Sequence, residues 1–346
     1  MLAAVLHGAK DLRIEPVGDL ALEPDEVRLK IAYGGICGSD LSYYFKGRVG
    51  EFAVRHPMIL GHEVSGEIQE LGSAVQGLAV GTRVALDPSR PCLSCEYCRA
   101  GRSNLCHQMR FLGSAAVVPH VQGGFAQNLV VRADQCIPVP DGISMRVVAC
   151  AEPLAVALHG VRRAGDLLGK RVLVTGSGPV GLLCMRTARL AGALEVCATD
   201  IFDPPLKIAL TMGAAHVVNV SNDADARSLI DGHGGGFDVA LEASGAPSAL
   251  GLIFQALKRG GRVVQLGMLP SGETPVSINL LQSREFDLVG SFRFHQEFKL
   301  AVAMLVAGTV DVTPILSAEF PLAKAASAFA IAGDRTRAIK VHLAIS

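Results

Sequence analysis

The stretch KRVLVTGSGPVGLLCMRTARLAGALEVCATD, residues 170 to 200, constrains the fold more than any other part of this chain. An apolar run ends in a glycine-rich turn, a helical pattern follows, and a second apolar run ends on Asp200. The same rhythm continues through HVVNV, residues 223 to 231, FDVALEAS, PSALGLIFQALKRG and RVVQLG, with FDLVGSF as a sixth strand. Strands that alternate with helices imply a parallel, doubly wound sheet. Residues 154–290 are therefore read as a dinucleotide-binding domain of Rossmann type.

Gly176, Gly178 and Gly181 form G-x-G-x-x-G between a strand and a helix, the context that makes the motif informative. Gly176 suits a tight turn, Gly178 lets the backbone approach a pyrophosphate, and Gly181 lets helix pack on strand. The free N–H groups at the start of the following helix face bound phosphates, and Pro179 and Val180, which open that helix, are candidate cofactor contacts. Asp200 stands where a carboxylate bonds ribose hydroxyls. Ser244 and Gly267 are further candidate cofactor contacts. Asp200 repels a 2′-phosphate, and Lys207 is the nearest cation in DIFDPPLK, so NAD is expected, with NADP possible.

Residues 1–153 have a different rhythm. Short alternating runs such as EVRLKIAYGGIC, EVSGEIQEL and TRVALD break at Gly, Pro and Asp, as β-rich structure does. Residues 291–346 are mixed, end in the strand pattern AIKVHLAI, and are expected to return to this first domain.

Four cysteines, Cys92, Cys95, Cys98 and Cys106, fall within PCLSCEYCRAGRSNLC. Short C-x2-C steps wrap the backbone round an ion, and a longer loop returns a fourth thiolate. Four sulfurs leave no open position, so the expected role is a structural zinc holding a lobe of irregular chain at about residues 88–107. An iron–sulfur cluster is the rival metal, but its ferredoxin motif returns the last cysteine after three residues and before proline. Disulfides fit less well, because the N-terminus shows no secretory pattern and the chain reads as cytoplasmic. Lys+Arg and Asp+Glu are both 32, which argues against a nucleic-acid or anionic-membrane partner. No apolar run reaches membrane-spanning length.

Cys37, His62, Glu63 and Glu152 are further candidate ligands. Catalytic zinc takes about three protein ligands and keeps one position open. On spacing alone, a buried cysteine and a hydrogen-bonded histidine would be the plainer reading. Gly61, His62, Glu63, Gly66, Gly72 and Val75 change this, because they meet GHE-x2-G-x5-G-x2-V. That pattern resembles the zinc signature of the medium-chain alcohol dehydrogenase family, whose remaining parts occur here in the same order.

The resemblance implies a GroES-like β-rich catalytic domain beside the Rossmann domain. It also implies a catalytic zinc on Cys37, His62 and Glu63, with Glu152 as an alternative ligand or water-holder, as in the polyol (sorbitol-type) branch. Cys150 is a lesser alternative, facing the same way as Glu152 if the segment is extended. The stretches GGICGSDLSYYFKGRVGEF, MRFLGSA, PHVQGGF, AEPLAVALH and GSFRF are similar to members of that branch that oxidise L-idonate at C5.

By the same resemblance Ser39 and Glu152 are catalytic, and Tyr43, Glu152, Arg293 and Phe294 bind a polyol or aldonate. Arg48 and Arg110 are rivals for a carboxylate. Ser42 replaces the histidine that the family often uses to relay the proton outward. A homo-oligomer is implied, a tetramer before a dimer. The alternatives are a neutral sorbitol- or xylitol-type substrate and, more distantly, an NAD(H)-binding protein without catalysis. His56, His107 and His120 are expected in loops or at the surface. His159 is expected to pack in a helix, and Cys136, Cys184 and Cys197 to be small buried side chains.

Overall fold

The computed structural model describes residues 1–232 and 236–346, and the chain divides into two compact units. The first comprises Met1–Glu152, Phe298–Asp334 and Lys340–Ser346; the second comprises Pro153–Glu297 and Arg335–Ile339. The return to the first unit therefore falls at Phe298 rather than residue 291, and residues 335–339 belong with the second unit.

The first unit is built on a seven-stranded sheet. Its central strand, Glu26–Gly35, pairs antiparallel with Glu63–Leu71 on one side and with Lys340–Ala344 on the other. Asn128–Arg132 also pairs with Glu26–Gly35. Alternation within EVRLKI puts Val27, Leu29 and Ile31 in the core at 0% exposure and turns the intervening residues outward. This register sets Gly35 opposite both Glu63 and His342, so three distant pieces of sequence meet at one sheet end. The chain leaves Gly35 into the helix Gly38–Lys46, which begins just after Cys37.

The second unit holds six parallel strands: β1 (Arg171–Thr175), β2 (Glu195–Asp200), β3 (His216–Asn219), β4 (Phe237–Glu242), β5 (Leu257–Gln265) and β6 (Asp287–Gly290). Their spatial order is β3-β2-β1-β4-β5-β6, the doubly wound arrangement expected from the alternating pattern. Leu173, Cys197, Phe237, Ile253, Phe254 and Val263 form a core that is at most 1% exposed. Each large apolar side chain buried there contributes roughly 1.5–3 kcal/mol. β1 and β4 lie side by side at the switch in strand order, and such sheets take ligands at the carboxyl ends of the strands there.

Candidate active site, structural metal lobe and cofactor cleft

Among the described residues, two groups of side chains can hold a metal ion. In the first, one ligand atom each from Cys37, His62 and Glu63 lies within 4.8 Å of the others. Cys37 caps the helix Gly38–Lys46, and the sheet end delivers His62 and Glu63. Asp40 fastens the cluster. Its Oδ2 accepts the Cys37 N–H at 2.9 Å and its Oδ1 accepts the Gly61 N–H at 3.2 Å. The same Oδ1 stands 3.7 Å from His62 Nδ1, so a buried carboxylate orients the imidazole. The sequence reading missed Asp40, although Cys37-x-x-Asp40 has the spacing of a capping box.

Lys340 was also missed. Its side chain is 1% exposed and its Nζ contacts Glu63 Oε2, while it donates to the Ile36 carbonyl at 3.0 Å. Burial pulls the ammonium pKa down, but Glu63 and then Cys37 outweigh it and the net shift is upward. Gly35 makes room for this pair: a Cβ there would lie 2.2 Å from Glu63 Oε2 and 3.2 Å from Lys340 Cε.

Burial, reinforced by the Glu63 charge, pushes the Cys37 thiol up to about 12. Burial, with Glu63 and Cys37 nearby, likewise lifts Glu152 to about 8 against the opposing effect of His62. A divalent cation held by these three residues would invert this balance and ionise the thiol. The sulfur, nitrogen and carboxylate donors suit zinc.

Glu152 is buried close to this cluster but lies outside the group whose ligand atoms converge, so geometry favours Glu63 as the third ligand. The lesser alternative, Cys150, does not meet its condition. The chain is not extended there, because Glu152 already lies in the helix Ala151–Ala164, and the Cys150 sulfur faces His342 Nε2 at 3.8 Å. Ser39 hydrogen-bonds the Cys37 sulfur. Ser42 donates its hydroxyl to the Gly38 carbonyl at 3.0 Å, and Tyr43 OH accepts the Ala115 N–H at 3.0 Å.

The second group is Cys92, Cys95, Cys98 and Cys106, again within 4.8 Å. Sulfurs ~2.3 Å from one ion stand roughly 4 Å apart, so the cage fits zinc. Backbone N–H groups already point at sulfur: Cys92 to Cys106 at 3.2 Å, Cys95 to Cys92 at 3.4 Å and Gln108 to Cys106 at 3.4 Å. Hydrogen bonds from Ser94 draw the Cys92 thiol down to about 6. Burial and the neighbouring sulfurs push Cys98 up to about 12, since four adjacent thiolates need a cation. The lobe is more ordered than expected: it includes a helical turn, Glu96–Arg99, and a paired strand, Ser89–Arg90.

In the second unit a cleft of ≈ 430 Å3 is lined by Gly176, Gly178, Asp200, Phe202 and Ser244, among others. Gly176 has φ +84°, and a Cβ on Gly181 would meet the Gly176 carbonyl oxygen at 1.8 Å. Pro179 opens the helix Pro179–Leu190, with Val180 next. Asp200 Oδ2 accepts the Ser177 N–H at 2.7 Å, fixing the carboxylate beside the turn. These features fit a dinucleotide.

Gly267 has a packing role. A Cβ there would lie 2.3 Å from the Gly245 nitrogen and 2.6 Å from Glu242 Oε2. Glu242, at 0% exposure, is the hub of this edge and accepts from Thr175, Ser244, Gly245 and Gln265.

Of the other candidates, Arg48 is satisfied by the Gly50 carbonyl at 2.8 Å, and Arg110 is exposed. Arg293 has φ +55° and its guanidinium lies 4.8 Å over the Phe292 ring; Phe294 is 2% exposed. Lys207 is exposed and does not line the cleft. His56 and His107 are exposed, as expected, but His120 is 5% exposed and accepts the Arg55 N–H at 2.9 Å. That loop is tucked inward, and a loop histidine that caps a backbone donor carries no periodic sequence signal. His159 Nδ1 faces Glu297 at 3.3 Å, and Cys136, Cys184 and Cys197 are buried.

Residues 23–141 match the alcohol dehydrogenase GroES-like domain, and residues 179–307 match the zinc-binding dehydrogenase domain. L-idonate 5-dehydrogenase (NAD(P)(+)) of Escherichia coli K12 is 42% identical over 317 residues, covering 91% of this chain and 90% of that protein. The chain belongs to the zinc-dependent medium-chain alcohol dehydrogenase family. The crystal structure of L-idonate 5-dehydrogenase from E. coli superposes with a TM-score of 0.94 at 39% identity, covering 99% of this chain and 98% of that one. Sorbitol dehydrogenase of Bacillus subtilis is 36% identical over 93% of this chain and 90% of its own length. As a family member of the polyol branch, this chain is a zinc-dependent NAD(P) oxidoreductase of CH–OH donors. Among the described residues, no helix is long and apolar enough to cross a membrane.

Proposed function

We propose that this dehydrogenase oxidises a secondary alcohol of a sugar acid, L-idonate to 5-keto-D-gluconate, and runs the reverse reduction by the same path. The carrying observation is the whole-chain likeness to an L-idonate 5-dehydrogenase at 42% identity. Zinc, when bound by Cys37, His62 and Glu63, supplies the Lewis acidity that makes the alcohol proton easy to remove, and NAD(P) supplies the hydride acceptor.

The chain's own residues do the rest. Asp40 and Lys340 keep His62 and Glu63 aimed into the cluster. Ser39, next to the Cys37 sulfur, takes the hydroxyl proton or its hydrogen bond. Ser42 is engaged with a helix carbonyl, so onward transfer is assigned to Glu152, a carboxyl buried beside the cluster. Tyr43, Glu152 and Phe294 are assigned to the polyol chain, and Arg293 to the carboxylate. In the cleft, Gly176, Gly178, Pro179, Val180, Gly181, Asp200 and Ser244 are assigned to the dinucleotide.

The B. subtilis sorbitol dehydrogenase at 36% identity favours a neutral polyol as the second reading. Turnover of zinc-replete enzyme on L-idonate, D-gluconate, sorbitol and xylitol, each with NAD and NADP, separates the two. Preference for L-idonate supports the sugar-acid reading. Preference for sorbitol or xylitol keeps the chemistry and discards the carboxylate pocket. Binding of NADH without turnover of any substrate would leave a non-catalytic NAD(H) protein. We further propose a cytoplasmic homo-oligomer, a tetramer before a dimer, with neither nucleic acid nor membrane as a partner. Light scattering on the eluting protein measures its mass directly.

A further inference from the structure

Arg335 lies in the short segment Arg335–Ile339, far along the chain from the glycine motif yet in the same compact unit. Its guanidinium sits against Gly178: a Cβ built there would lie 2.8 Å from Nη2 and 2.9 Å from Nη1. Its Nη2 stands 3.9 Å from Asp200 Oδ2. It lines the same cleft as Gly176, Asp200 and Ser244. Its Nε is buried with no hydrogen-bond partner among the described residues.

Each fact bears on cofactor choice. A carboxylate at the end of β2 bonds the 2′-hydroxyl of NAD and repels the 2′-phosphate of NADP. Here that carboxylate is engaged by backbone, through the N–H groups of Ser177 at 2.7 Å, Ile201 at 2.8 Å and Phe202 at 3.2 Å. A guanidinium within ion-pair range offsets its charge without consuming the donors of the fork. The 3.9 Å gap is too long for a hydrogen bond, so the Arg335 donors remain available to an anion in the cleft. Arginine presents a planar, permanently charged fork that suits phosphate. No arginine adjoins Asp200 in sequence, which is why the local stretch reads as NAD-selective.

We propose that Arg335 is the residue through which this cleft accepts the 2′-phosphate of NADP(H) beside Asp200. The inference rests on the cleft being the cofactor site, and the test separates the two ideas. Titration calorimetry on the full-length, zinc-replete protein gives Kd for NAD+, NADP+, 2′,5′-ADP and 5′-ADP.

Arg335→Ala is expected to weaken NADP+ and 2′,5′-ADP by about 10- to 100-fold, the loss of one charge-assisted hydrogen-bonded contact. NAD+ and 5′-ADP should stay within about threefold. An equal loss for NAD+ and NADP+ would move Arg335 to the diphosphate and overturn the proposal, as would no change in either. Should Arg335→Ala fail to fold, the wild type still decides: discrimination against NADP+ by more than about 1,000-fold would overturn it. Arg335→Lys, which keeps the charge and loses the fork, should fall between wild type and alanine for 2′,5′-ADP alone. If the wild type binds none of the four nucleotides, the cleft is not the cofactor site and both readings fall.

Discussion

The ammonium of Lys340 is buried against the carboxylate of Glu63, the same carboxylate that converges with Cys37 and His62. Lys340 arrives on the last strand, Lys340–Ala344, and Glu63 opens the strand Glu63–Leu71, both flanking the end of Glu26–Gly35. One positive charge therefore balances the ligand carboxylate before any metal is bound. Removing one partner of a buried ion pair costs about 3–5 kcal/mol, because the other charge is left uncompensated. Lys340→Met should thus lose roughly that much stability in zinc-stripped protein, by chemical denaturation. Zinc-loaded protein should lose less, since the ion takes over the compensation of Glu63. The same loss in both states would make Lys340 a packing residue only.

The four-cysteine lobe should be separable from turnover. Cys95→Ser removes one of four converging sulfurs and takes from the Cys98 and His107 backbone N–H groups the sulfur they donate to. Structural zinc sites contribute directly to folding free energy. Metal analysis should find one zinc fewer per chain, with a lower Tm, while the ratio of activities on L-idonate and sorbitol is unchanged. A mutant with full zinc content and unchanged Tm would remove the structural role.

What was legible in the sequence was local or periodic. The strand–helix alternation after residue 165 predicted the six parallel strands, because short apolar runs bounded by glycine alternate there with longer amphipathic patterns. The cysteine cluster and Cys37, His62 and Glu63 were likewise visible, the latter through the pattern around GHE. Lys340 and Arg335 were not, since each meets its partner through pairing or packing of segments far apart in the chain, and a lone cation in a strand or loop carries no signal. The lesser alternative, Cys150, falls away for a local reason. Pro153 is tolerated in the first turn of a helix, so AEPLAVALHG begins a helix and the extended segment on which that alternative depended does not form. Glu242 was hidden because a carboxylate closing a strand reads as exposed until several donors are seen to converge on it.

In the second unit Glu297 gathers His159, Arg162 at 2.9 Å and the His295 N–H at 2.7 Å. Burial alone would raise its pKa, but these donors outweigh it and hold the carboxyl at about 2, against an ordinary 4.5. A carboxylate whose folded pKa is depressed contributes stability that is complete above its unfolded pKa and fades as pH falls toward its folded one. Glu297 should therefore stabilise the fold fully above pH 4.5 and lose that contribution between 4.5 and about 2. Glu297→Gln should be less stable than wild type at neutral pH, and the gap should close across that window. Denaturation midpoints for both proteins at a series of pH values test this; a gap independent of pH would assign the loss to packing.

Arg293 is the residue on which the sugar-acid reading is most exposed. It occupies the left-handed region at φ +55°, where a non-glycine residue costs of order 1–3 kcal/mol, and such strain is kept where the surroundings enforce it. Its guanidinium lies 4.8 Å over the Phe292 ring, a cation–π contact that favours this placement of the fork. A fork held in this way suits bidentate capture of a carboxylate, a contact worth about 1.5–3 kcal/mol, or roughly 10- to 150-fold in KM. Arg293→Ala should raise KM for L-idonate by that factor while changing KM for sorbitol by less than about threefold, with kcat on both little altered. Arg293→Lys should restore only part of the loss, because a point charge replaces the fork. Equal effects on the acid and the neutral polyol would place the carboxylate elsewhere and leave Arg293 as a structural support for its loop.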